Sequence, residues 1–193
     1  MSRVTHRDLL THADVQRFVE VAREFCDLTE RIDTLPKVYF LERLDELLPL
    51  VYSLAQRVPD AIDWDADWEL DPKDRPVGIA GAEYLARWDE LRERIGQKLE
   101  PHRWFRFVYD PVDPSDQQVI QGDLADLLAD VYLHVKDGLL LYERPGDDER
   151  AQAVWNWRFG VRRLWGHKAA QVILPIHMLL RQHYDEDDEV FDI

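Results

Sequence analysis

Apolar residues recur along most of the chain at the three- and four-residue spacing that gives an amphipathic helix one buried stripe. Val15, Phe18, Val19, Ala22, Phe25, Cys26 and Thr29 form the first stripe, with Thr11 or the His12–Asp14 stretch placed to cap its start. Leu41, Leu44, Leu48, Val51, Tyr52 and Ala55 form a second, ending before Pro59. Pro49 falls inside that helix, opposite the stripe. It has no amide to donate and crowds the carbonyl one turn back, so it predicts a bend facing solvent. Tyr84, Trp88, Leu91, Ile95 and Leu99 mark a third helix, whose start Gly78 and Gly81 loosen.

Residues 104–114, WFRFVYDPVDP, alternate as a strand would, but the run is short and ends at Pro111 and Pro114. It predicts an extended connector that packs aromatic rings on the helices. Helical spacing returns from Ser115 to Glu143 and is broken by Arg144, Pro145 and Gly146. A final helix is predicted from about Asp148 to His183, bent at Pro175. The pattern is that of an all-α bundle of about five helices, two of them long, with an acidic loop and a short extended connector. One domain is expected over residues 1–184, followed by an acidic tail at 185–193.

Composition narrows the class. A chain of 193 residues with 46% hydrophobic content can bury a full core without staples, and is neither disordered nor fibrous. A single cysteine excludes a disulfide framework and any zinc site built from several cysteines. The N-terminal residues MSRVTHRDLL lack the apolar stretch of a signal peptide, and no apolar run is long enough to span a bilayer. These features predict a cytoplasmic protein.

The net charge of −15 is concentrated in two places. Residues 60–74 hold seven carboxylates (Asp60, Asp63, Asp65, Asp67, Glu69, Asp71 and Asp74) against one lysine, and residues 185–193 hold six and no base. The rest of the chain is close to neutral. Such a chain is repelled by nucleic-acid phosphates and anionic membrane surfaces. Both segments also carry apolar anchors among their acids. Trp64 and Trp68 sit beside Asp65 and Asp67, and Phe191 follows Asp187, a mixture suited to a basic protein groove with apolar pockets. Solvated loop and frayed tail is the plainer reading of the same residues.

Two helices place polar residues against their interests. Asp123, Asp126, Asp130, His134 and Asp137 of the fourth fall within an arc of roughly 80°, beside an apolar face. Like charges one turn apart repel, and an open surface would more often interleave lysines. In the fifth, Trp155, Phe159, Trp165, Ala169, Ile173 and Leu180 share a face from which Arg162 projects, with Arg158 about 40° away. An arginine among aromatic rings needs a carboxylate, since a bare buried charge costs several kcal/mol. Arg158 and Arg162 are therefore expected to meet Asp126 and Asp130, with His134, His167 or His177 nearby. The cluster reads either as a structural ion-pair network or as a pocket for an anion or a divalent metal.

Other chemistry is poorly supported. No glycine-rich phosphate loop, nucleophile elbow, His-x-x-x-His or paired Cys-x-x-Cys occurs, and Cys26 lies on an apolar stripe where it packs. The arginines and aromatics of residues 155–168 point all around their helix, unlike a single-strand binding face. No cofactor is implied.

Four blocks, FVEVAREFCDL (18–28), LERLDELLPLVYSLA (41–55), DLADLLADVYLHVKD (123–137) and LWGHKAAQVILPIH (164–177), resemble in order and spacing the bacterial family termed domain of unknown function 5063. The resemblance spans most of residues 15–180 and is most specific at the DLAD and Trp-Gly-His blocks. It implies a bacterial, helical, soluble protein and assigns no activity or catalytic residue. The acidic stretch at 60–74 and the acidic tail fit it least. The expected function is a non-enzymatic protein-interaction module using the acidic aromatic segments. The alternative is a metal- or anion-binding, hydrolase-like pocket between the fourth and fifth helices.

Overall fold

The computed structural model describes residues 9–60, 78, 79 and 81–191, with side chains described as far as Asp185. Among these residues it contains six α-helices and one two-stranded sheet, one helix more than the spacing predicted. Helix α1 spans Ala13–Glu30. Its N-cap is His12, whose Nδ1 accepts from the Asp14 N–H at 3.2 Å, so the imidazole does the work usually left to serine or aspartate. A 3-10 turn at Ile32–Thr34 and Pro36 lead into α2, Lys37–Arg57. The helix continues on both sides of Pro49, which is half-buried. Helix α3 is Gly81–Leu99.

The stretch expected to be a connector is instead a β-strand. Strand β1, Trp104–Val108, pairs antiparallel with β2, Val119–Asp123, with Trp104 opposite Asp123 and Val108 opposite Val119. The fourth helix was expected to begin at Ser115. Residues 109–118 instead fold back as a turn held by Asx bonds, with Asp110, Asp113 and Asp116 accepting from the N–H groups of Val112, Ser115 and Gln118. The period-two pattern of Val119–Asp123 was too short to stand out against the helix that follows. The Phe105 ring packs so close to Gly122 that a Cβ there would clash with it.

Helix α4, Leu124–Tyr142, starts at the last residue of β2, because the Asp123 side chain accepts from the Ala125 N–H at 3.0 Å and caps it. Helix α5 is Asp147–Arg163 and α6 is Gly166–Phe191. The final rod was expected to bend at Pro175. It breaks ten residues earlier, where the N–H groups of Leu164 and Trp165 both return to the Gly160 carbonyl at 2.8 and 2.9 Å and Trp165 turns fully into the core. Burying an indole outweighs one more turn of helix. Pro175 stays inside a continuous α6, which runs on through much of the segment expected as a tail.

Helix α4 is the central rod, packing against α1, α3, α5 and α6, while α2 bridges α1, α5 and α6. Its buried residues include Leu124, Leu128, Val131, Val135 and Leu139. Against them stands Trp157 of α5, fully buried, its Nε1 donating to the Val135 carbonyl at 3.2 Å. The face of α5 turned to the core is therefore Ala151, Val154, Trp157 and Val161, and not the face holding Trp155 and Phe159 as expected. Trp155 and Phe159 stack on each other at 4.8 Å and 8°, and Phe159 is exposed. Among the described residues, no helix is long and apolar enough to cross a membrane.

Candidate functional site

The polar stripe of α4 divides into three environments. At its N-terminal end Asp123 is nearly covered and joined to Arg103, with Nε 2.9 Å from Oδ1 and Nη2 2.6 Å from Oδ2. Arg92 reaches the same carboxylate at 3.5 Å. Trp88 and Trp104 lie against Arg92 and Arg103, ring centroids 5.2 and 5.1 Å from the guanidinium carbons, so each cation meets both an indole ring and the Asp123 carboxylate. Burial pushes the Asp123 carboxyl up, but the Arg103 bond, the Ala125 N–H and the Arg103 charge outweigh it and hold the group below the ordinary aspartate range.

In the middle, Asp130 pairs with Lys168 of α6. One turn before it, the half-buried Asp126 carboxylate makes no hydrogen bond or ion pair among the described residues. Burial and the charge of Asp123 raise its affinity for a proton, opposed by Lys168. One turn after it, His134 meets the Tyr84 ring edge-on at 6.2 Å. Burial holds this imidazole below its usual value, against the pull of Asp130, so it is neutral at pH 7.

At the far end Asp137 accepts from the Ile79 N–H at 2.7 Å. Gly78 comes so close to the Asp137 carbonyl that no Cβ fits there. Burial raises the Asp137 carboxyl, with the bonds from Ile79 and Gly78 opposing. This carboxylate ties the entry of α3 to the central rod.

The expected meeting of Arg158 and Arg162 with Asp126 and Asp130 does not occur. Both arginines instead converge on one oxygen of Asp60, Arg158 Nε at 3.1 Å and Arg162 Nη1 at 3.0 Å. The reason is the rotation of α5. With Trp157 turned into the core, positions 158 and 162 face away from α4 and toward the residues that follow α2. The pair is asymmetric in depth. The Arg158 side chain is 15% exposed and the Asp60 side chain 70%. Arg158 Nη1 is buried with no hydrogen-bond partner. An exposed carboxylate contributes at most about 1 kcal/mol to such a pair, so Asp60 is held weakly by cations that are themselves fixed.

Of the residues singled out in the sequence, Asp126, Asp130 and His134 thus share one face of α4, Asp123 belongs to the hairpin, and Arg158 and Arg162 form a separate clamp. Among the described residues, no group of three or more His, Cys, Asp or Glu side chains is placed to hold a metal ion. His167 is exposed near the start of α6, and His177 lies 3.4 Å from Asp45. That contact sits in a groove of 540 Å³ between α2 and α6, where Tyr184 also donates to Glu42 at 2.9 Å. Trp64, Asp65, Asp67 and Trp68 lie outside the described residues, and Asp187 and Phe191 lie beyond the described side chains. Sequence reasoning missed Asp60, Arg92, Arg103 and Lys168 as partners. Only Arg103 left a signal, as a cation beside the alternating stretch that became β1.

Residues 11–182 match the family described as Domain of unknown function (DUF5063). No curated protein matches the sequence. The fold is similar to the crystal structure of protein BF1032 from Bacteroides fragilis, with a TM-score of 0.70 and 19% identity over 89% of this chain and 94% of that one.

Proposed function

The chain belongs to the DUF5063 family, and from that premise we propose that it is a non-enzymatic protein-interaction module whose acidic aromatic segments engage a partner with a basic surface. The observation that supports this most is the clamp on Asp60. Arg158 and Arg162 of α5 both pair with Asp60, the first acid of the 60–74 run, through a contact weak enough for salt or a partner to release. Trp64 and Trp68, flanked by Asp65 and Asp67, supply the apolar anchors, and Asp187 and Phe191 offer the same chemistry at the other end of the chain. Most of the binding strength in such a contact comes from a few aromatic anchors, while the acids set the encounter rate and its salt dependence. The partner is a protein. The charge that suits a basic groove repels nucleic acid and anionic membrane. The cytoplasm of a bacterium is the setting this reading assumes.

The test is capture by cross-linking in cells, comparing the full chain with a variant carrying Asp63, Asp65 and Asp67 changed to Asn and Trp64 and Trp68 changed to Ala. The reading expects a basic protein held by the parent chain, released by salt and absent from the variant. Identical capture by both chains would overturn it. The alternative hydrolase-like pocket on α4 has lost its arginines to Asp60 and holds no three-donor metal group among the described residues.

A further inference from the structure

We propose that Arg158 and Arg162 form a binding site for a phosphate-type dianion, and that Asp60 is an internal competitor occupying it in the free protein. The cations are the built part. They stand one helical turn apart on α5, and the inner one is only 15% exposed. The anion is the removable part, a single carboxylate that is 70% exposed and offers one oxygen to both guanidinium groups. Two positive charges sharing one negative charge leave the site with unspent attraction for a second. Arg158 also retains a buried Nη1 that nothing satisfies. A phosphate carries more charge than a carboxylate and has oxygens enough to engage both forks at once, the geometry in which guanidinium binds best.

Trp155 and Phe159 fall on the same side of α5, within an arc of about 100° that contains both arginines. Their parallel stack flanks the clamp with an aromatic surface, and Phe159 is exposed. A phosphate ester bearing a flat apolar group would therefore use more of this face than inorganic phosphate. The inference goes beyond the partner-binding reading, because it needs neither the acids and tryptophans of residues 61–74 nor the tail.

The internal competitor makes a quantitative expectation. A ligand that binds only the fraction of molecules with an empty clamp shows an affinity reduced by that fraction. Replacing Asp60 by Asn, at an exposed position, removes the competing charge and should leave the fold intact by circular dichroism. Calorimetric titration of the full chain with inorganic phosphate and with phenyl phosphate, against chloride at equal ionic strength, reads the effect. Asp60→Asn should bind phosphate up to about sixfold more tightly than the parent, the gain that releasing so weak a contact allows. Arg162→Gln in the Asp60→Asn background should cancel that gain; its side chain is 45% exposed, so it too should fold. Tighter binding of phenyl phosphate than of phosphate assigns the site to an ester, and equal binding assigns it to the free ion. Failure of the Asp60→Asn chain to bind either, equal binding by parent and Asp60→Asn, or indifference to Arg162→Gln would overturn the proposal.

Discussion

Arg103, the residue just before β1, and Asp123, the last residue of β2, meet through two hydrogen bonds, with side chains only 12% and 11% exposed. The same carboxylate caps α4, so one residue joins strand, helix and cation. Removing one member of a part-buried, hydrogen-bonded charge pair strands the other, at a cost of about 1.5–3 kcal/mol. Asp123→Ala is expected to reach that range in urea unfolding, and Arg103→Ala to approach it. In a double-mutant cycle the two losses should fall well short of adding. Additive losses would show that the pair is not the source of the effect.

Asp126 predicts the opposite sign. Its carboxyl is raised in the folded chain, first by burial and then by Asp123. A raised carboxyl contributes stability below its unfolded value of about 3.9 and loses it as pH climbs through the folded value. At pH 7 the charged form is therefore a burden, and Asp126→Asn should raise the melting temperature. The rise should be a few degrees at most, since 1 kcal/mol is worth about 2–4 °C in a chain of this size. The gain should vanish in acid below the unfolded value. A variant less stable than the parent at pH 7 would refute this account of the stripe.

Gly138 is a glycine in mid-helix, where alanine would ordinarily stabilise by up to about 1 kcal/mol. Here a Cβ would run into the indole nitrogen of the fully buried Trp157. Gly138→Ala is accordingly expected to destabilise by about 1–3 kcal/mol, the usual cost of overpacking a dense core. A neutral or favourable result in thermal unfolding would mean that α4 and α5 part more easily than their contact suggests.

Cys26 is 2% exposed, and burial pushes its thiol far above the range in which thiolate forms. The thiolate is the reactive species, so the native protein should be inert to a thiol-labelling disulfide reagent at pH 8. Labelling should keep pace with unfolding in denaturant. Rapid reaction of the native chain would place Cys26 nearer the surface than it stands.

The legible part of the fold was whatever a single segment decides for itself. The stripe Val15, Phe18, Val19, Ala22, Phe25, Cys26 and Thr29 is buried residue for residue in α1, because helical spacing alone dictates which side chains share a face. The hairpin was half visible, since β1 carries a two-residue alternation but its partner precedes a helix whose spacing swallowed it. The break at Trp165 was not legible as a stop, because the glycines that bracket it, Gly160 and Gly166, stand amid helical spacing on both sides and its cause is an indole finding room between other helices.

By itself the sequence determined that the chain is helical, which stripes are apolar, and that α4 carries a row of acids with a histidine among them. Only the tertiary structure decided which cation each acid meets. Periodicity fixes where residues lie around one helix axis, whereas an ion pair depends on how two axes are rotated and offset against each other. That rotation was set for α5 by Trp157, whose burial in the core turned Arg158 and Arg162 away from Asp126 and Asp130 and onto Asp60.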